Sequence, residues 1–146
     1  MANVRLGAKA VGSTVKIKVN GTVKDFIIVH QGKPSSVYDD SCNGTWLLMK
    51  DIYESRQWNR SGTSDYANST IHSYLNGTFL GLFESNIKNA IKQVKLPYRI
   101  GSGMSTTVAS GSNGLSAKIF LLSATETGFE FASMPYDEGA ELAYFK

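Results

Sequence analysis

The sequence predicts an α+β fold: an N-terminal β-hairpin, a mixed or antiparallel sheet, and two to three short helices. Three observations carry that expectation. Side chains alternate on either side of Asn20-Gly21, and apolar residues recur at helical spacing in the middle of the chain. Strand and helix signals also fail to alternate in the regular order of a doubly wound parallel sheet. The 146 residues fit one α+β domain over 1–146, with no internal repeat and no linker.

The hairpin is the clearest element. Val15, Ile17 and Val19 alternate with Lys16 and Lys18, the period of a half-exposed strand. Asn20-Gly21 follows, the pair that best tolerates a positive φ at both turn positions. A two-residue loop sets Val15 opposite Phe26 and Lys16 opposite Asp25, but it also sets Ile17 opposite Lys24. Residues 31–45 are rich in turn formers. "WLLMKDIY" (46–53) reads as a buried strand, and residues 54–68 as a long polar loop tacked down by Trp58 and Tyr66.

Asn68 or Ser69 is placed to cap a short helix bearing Ile71, Tyr74 and Leu75, which Asn76-Gly77 should end. Phe79, Leu80, Leu82 and Phe83 form an apolar knot. Ser85 then caps a second helix, with Ile87, Ala90, Ile91 and Val94 at i, i+3, i+4 and i+7, and Pro97 stops it. Residues 100–117 are Gly-, Ser- and Thr-rich and read as a surface loop. "KIFLLSATE" (118–126) reads as a buried strand, and 136–146 as a helix. The sequence stops inside that last pattern without a cap, as a truncated domain would, or a helix that docks on a partner.

Composition narrows the function. Hydrophobic residues make up 42% and charged residues 18%, below the roughly 25% charge of an average domain. Gly, Ser, Thr and Asn fill the gap, which suits packing against other proteins. The net charge of +3 is scattered, and Lys88, Lys92 and Lys95 read as one solvated helix face rather than a nucleic-acid footprint. No apolar segment has the length of a membrane span or the form of a signal peptide. The Asn-x-Ser/Thr sites at Asn20, Asn43, Asn59, Asn68 and Asn76 read as turn and cap chemistry.

No reaction chemistry assembles from these residues. Cys42 stands alone, without the spacing of a metal site. His30 and His72 lie in turn and cap contexts. The carboxylate pairs Asp39-Asp40, Asp137-Glu138 and Glu126 with Glu130 lack a tuning partner at helical spacing. Gly101-Ser-Gly103 has no following Gly-Lys-Ser/Thr and is not a phosphate loop. The expectation is a non-enzyme with no cofactor and no metal. It assigns no catalytic residues and leaves the ligand-binding residues open.

Trp58, "NSTIHSYLN", the Phe/Leu knot, the "IKNAIKQV" helix and "KIFLLSATE" together resemble an uncharacterised, unknown-function domain family of gut Firmicutes and their bacteriophages. The similarity covers roughly residues 44–146. The start "MANVRLGAKAVGSTVKIKVNG" is similar to phage-borne members found among tail and virion genes. Longer relatives continue into a "WWLRS"-like segment and a variable end similar to C-type-lectin-like domains, and this sequence has no such segment. The matching residues (Trp58, Ile71, Tyr74, Leu75, Phe79, Ile87, Ile91, Phe120, Leu121 and Leu122) read as core and cap positions.

The resemblance implies a non-enzymatic virion component, tail-associated or receptor-binding, made in the bacterial cytoplasm and carried in the phage particle. Its implied partners are copies of itself, other virion proteins and a host-surface glycan or protein, with no nucleic acid and no membrane insertion. Two alternatives stay open. One is a bacterial extracellular carbohydrate-binding module using Trp46, Trp58 and Tyr66 as stacking platforms. The other is a hydrolase with an unrecognised site.

Overall fold

The computed structural model describes residues 5–103, 105–129 and 138–146. Strands β1 (Thr14–Val19), β2 (Thr22–Gly32) and β3 (Gly44–Met49) form an antiparallel sheet in that order. Asn20 and Gly21 close the hairpin with φ of 49° and 76°, the left-handed pair that this turn demands. The register is the expected one, pairing Val15 with Phe26, Lys16 with Asp25 and Ile17 with Lys24. The Lys16 ammonium lies 2.8 Å from Asp25. In the awkward third pair the Lys24 ammonium lies 5.9 Å from the Tyr53 ring centroid.

Trp46–Met49 is a continuous apolar run because the sheet is covered on both faces. On one face Val29, Trp46 and Leu142 form a core with Tyr38, Cys42, Leu96 and Ala117, and Ile27 and Leu48 pack against it. On the other, Phe26 joins Val19, Leu75, Phe79 and Phe83, with Leu47 and Met49 packed beside them. Neighbouring residues of β2 and β3 therefore serve different cores, as strand alternation requires.

Helix α1 (Thr70–Tyr74) starts at Ser69, whose hydroxyl accepts the His72 N–H at 3.1 Å. Asn76-Gly77 does not end the helical path: a π-helical turn, Leu75–Phe79, and a 3-10 turn, Leu80–Leu82, continue it. The Asn76 side chain is engaged elsewhere. Its Oδ1 accepts the N–H groups of Lys118 at 2.7 Å and Ile119 at 3.2 Å, and its Nδ2 donates to the Ile119 carbonyl at 2.9 Å.

The second helix is shorter than its apolar spacing predicts. Helix α2 runs Ser85–Ala90, is capped at Glu84 without a side-chain bond, and gives way to extended backbone at Ile91. Val94 belongs to strand β4 (Val94–Leu96), which pairs with β7 (Leu115–Ala117). Lys92 and Lys95 therefore do not share a helix face with Lys88. Strands β5 (Tyr98–Arg99) and β6 (Val108–Ala109) also pair, so the Gly/Ser-rich stretch is structured rather than a loop throughout. Gly114 is required there, since a Cβ would sit 2.7 Å from the Leu96 carbonyl oxygen.

Two further expectations are corrected. Residues 118–126 hold no strand: their path ends in a 3-10 turn, Thr125–Thr127. Residues 138–146 form bends and a turn rather than a helix, and Tyr136 and Asp137 lie outside the described residues. Leu142 is fully buried and the Tyr144 N–H donates to the Val29 carbonyl at 3.0 Å, so this segment covers the sheet as irregular chain. Among the described residues no helix is long and apolar enough to cross a membrane.

Asn76→Ala should lower the unfolding free energy by about 2–3 kcal/mol, because it strands backbone groups of Lys118 and Ile119 in part-buried surroundings. Urea denaturation followed by circular dichroism checks this, and Asn76→Asp, which keeps the acceptor, should lose less.

Candidate functional site

A cleft of about 750 Å³ opens beside β3. Its lining includes every residue of Gly44–Met49 and every residue of Lys118–Leu122. Successive strand side chains point to opposite faces, so a cleft lined by all of them runs along the edge of β3 rather than over one face. Ile71, Tyr74 and Leu75 of the α1 region and Ile87, Ala90 and Ile91 of the α2 region supply a further wall.

Residues 118–122 divide between the cores as a strand would. Ile119 packs with the helix-side core, while Phe120 and Leu122 pack with the opposite one. The strand expected here thus has strand-like burial but no partner to make it one. Leu121 corrects the core expectation, since it is 43% exposed.

The ends of the cleft carry opposite charge. At the Gly44 end, the Lys92 ammonium donates to the Asn43 carbonyl at 2.8 Å, and Lys118 donates to the Lys88 carbonyl at 3.4 Å. At the Met49 end lie Asp51, Glu54 and Arg56. The Tyr74 hydroxyl donates to Glu54, and the Arg56 guanidinium sits 3.6 Å above the Tyr74 ring centroid. That hydroxyl, aided by Arg56, holds the Glu54 carboxyl below its ordinary range.

The aromatic candidates separate. Trp46 is core: its indole N–H donates to the Gly32 and Cys42 carbonyls at 3.2 and 3.1 Å, between the rings of Tyr38 and Phe120. Trp58 is not core but 43% exposed, tilted on Tyr66 with ring centroids 5.5 Å apart. The pair does tack the long loop, because the Trp58 carbonyl accepts the Ile71 N–H at 3.0 Å. The Tyr66 hydroxyl accepts the Leu121 N–H at 3.0 Å.

The titratable candidates lie apart. His30 Nδ1 accepts the Ala143 N–H at 3.1 Å, and the His72 ring stands edge-on to Tyr66 at 5.2 Å. Burial lowers the pKa of both. Asp39 accepts the Ser41 N–H at 2.9 Å, Asp40 pairs with Lys33 at 2.6 Å, and Glu138 accepts the Arg99 N–H at 2.6 Å. Glu130 and Asp137 lie outside the described residues. The Cys42 thiol donates to the Lys95 carbonyl at 3.2 Å, and burial pushes its pKa up. Among the described residues no three His, Cys, Asp or Glu side chains are grouped to hold a metal.

Glu126 is the carboxylate that sequence reasoning named but left without a tuning partner, and the structure supplies one. It is 4% exposed, accepting the Tyr38 hydroxyl at 2.7 Å and the Ser123 N–H at 2.9 Å. The Glu126 N–H returns to the Ser123 hydroxyl at 3.2 Å. The signal was present: Ser123-Ala-Thr-Glu126 has capping-box spacing, and this reciprocal bonding is what the motif provides. Tyr38 also accepts the Ala140 N–H at 3.0 Å, so the pair ties three chain segments together. Desolvation raises the Glu126 carboxyl to about 7 against the opposing pull of its bonds to Ser123 and Tyr38. It raises the Tyr38 hydroxyl as well.

The folded pKa of Glu126 exceeds the ordinary 4.5, so its contribution to stability is fully present below pH 4.5 and is lost as pH rises through about 7. The loss should be on the order of 3 kcal/mol. Urea midpoints between pH 4 and pH 8 check it, and Glu126→Gln should flatten the profile over that window.

Residues 43–146 match the model of a family described as domain of unknown function DUF6273, and the chain belongs to that family. Comparisons with curated proteins and with solved structures return no match.

Proposed function

We propose that this protein is a non-enzymatic docking module that acts through protein–protein contacts, as a tail-associated or receptor-binding component of a bacteriophage virion. In this reading it is present in several copies and serves C-type-lectin-like display. The observation that carries the docking part is the cleft beside β3: its walls are aliphatic and aromatic, and charge is confined to its ends. Such a surface offers apolar area to the side chains of a partner. The virion part rests on the sequence resemblance.

The exposed Trp58, tilted against Tyr66, favours a second reading, a carbohydrate-binding module. A flat ring open to solvent and braced from behind suits a sugar face.

Leu121→Glu and Trp58→Ala separate the two readings, because both side chains line the cleft and are exposed enough to change without unfolding the protein. Docking predicts that mass spectrometry detects the chain in purified phage particles and that Leu121→Glu removes it from them at unchanged melting temperature. Wild-type absence from particles, with glycan-array signal that disappears in Trp58→Ala, would establish the second reading instead.

A further inference from the structure

The backbone beside the cleft says how a partner is held. The Lys50 N–H donates to the Asp25 carbonyl at 2.9 Å, and Leu48 is opposite Ile27. In an antiparallel ladder consecutive residues turn their N–H and C=O groups to opposite sides, so Leu47 and Met49 turn theirs away from β2. The irregularity at Ile28/His30 lies in β2, so β3 keeps its alternation across it and Thr45 turns outward likewise. Among the described residues nothing pairs with this outer side of β3: the sheet ends there.

Across the cleft, residues 118–122 also carry unpaired backbone groups. The Ile119 and Leu121 N–H groups are taken by Asn76 and Tyr66. Those of Phe120 and Leu122 meet no acceptor among the described residues, and both residues line the cleft. The cleft thus has two backbone edges along it and two hydrophobic cores above and below. The charges outside ion pairs have a direction. Among the described residues Asp51 at one end, and Lys92 and Lys118 at the other, form no ion pair.

We infer that the cleft receives one extended segment of another polypeptide, inserted as a strand between β3 and residues 118–122. This rests on the docking reading and names its mode. Bonding would run to Thr45, Leu47 and Met49 on one side and to Phe120 and Leu122 on the other. Because both faces of the inserted strand meet a core, the segment is apolar at consecutive positions, as β3 itself is. Charge complementarity places a basic residue at its Asp51 end and an acidic one at its Lys92 end. In the antiparallel sense to β3 the segment enters basic end first.

The probe is the acetylated and amidated peptide Lys-Thr-Val-Leu-Val-Thr-Glu, titrated into the whole chain by isothermal calorimetry. The expected result is saturable binding, weakened about tenfold or more when the two central amides are N-methylated. The double variant Asp51→Lys, Lys92→Glu, altering exposed side chains only, should prefer the charge-exchanged peptide. Unchanged affinity on N-methylation overturns strand insertion and leaves docking by side chains standing. No saturable binding at millimolar peptide also overturns insertion. The docking reading fails separately, if Leu121→Glu leaves incorporation into particles unchanged.

Discussion

The structure turns on a sheet that is apolar on both faces. Trp46 and Leu48 face one way and Leu47 and Met49 the other, so neither side can be left to water. Covering a single apolar face would have needed one layer of helix. Two faces need two layers, and this chain builds them differently. The helical path from Thr70 to Leu82 and helix α2 cover one side. The other is covered by irregular chain, Tyr38 and the segment carrying Leu142, together with the short β4–β7 pair. Irregular cover brings backbone polar groups against a core, and these must be satisfied locally. The Tyr38–Glu126–Ser123 cluster does this, which is why a carboxyl sits where only apolar groups are otherwise found.

Local chemistry made the hairpin and the first helix legible. Asn20-Gly21 admits one turn geometry, and that turn sets the register. Ser69 supplies a cap whatever else the chain does. The misread elements are those whose form depends on distant partners. Ile87, Ala90, Ile91 and Val94 have helical spacing, but Val94 lies opposite Ala117 in a ladder. A helix this short has too little intrinsic stability to resist that competition. Residues 118–122 carry a strand's burial alternation without a ladder. The segment 138–146 is apolar because it covers a core, and coverage leaves no periodic trace when the chain is irregular.

The candidate site was half legible. Its walls were identified as apolar positions, and Trp46, Phe79 and Ile119 hold places in or against a core. The cleft between them was not legible, because it is bounded by the side of a strand that carries no side chains. Trp58 shows the same limit: an aromatic residue in a polar loop reads as an anchor, and the loop is indeed anchored there, but by its carbonyl and by contact with Tyr66 rather than by burial. Asn76 lay inside a glycosylation-like triplet read as turn chemistry. Its actual bonds reach more than forty residues along the chain, a distance no local pattern encodes.

An apolar cleft in a small protein needs a reason not to collapse, since closing it would bury aliphatic surface at about 25 cal/mol per Å². Asn76 and Tyr66 provide it. Asn76 holds both ends of the Lys118–Ile119 peptide from the α1 side, and the Tyr66 hydroxyl holds Leu121 from the same side. Moving residues 118–122 onto β3 would break these bonds and leave the Asn76 amide and oxygen part-buried without partners, which offsets much of what the closure would gain. The Trp46–Phe120 ring contact, 5.4 Å between centroids, fixes the approach on the opposite core. The cleft is therefore held at its width by polar contacts behind its wall, and its apolar lining is a preformed surface rather than a packing defect.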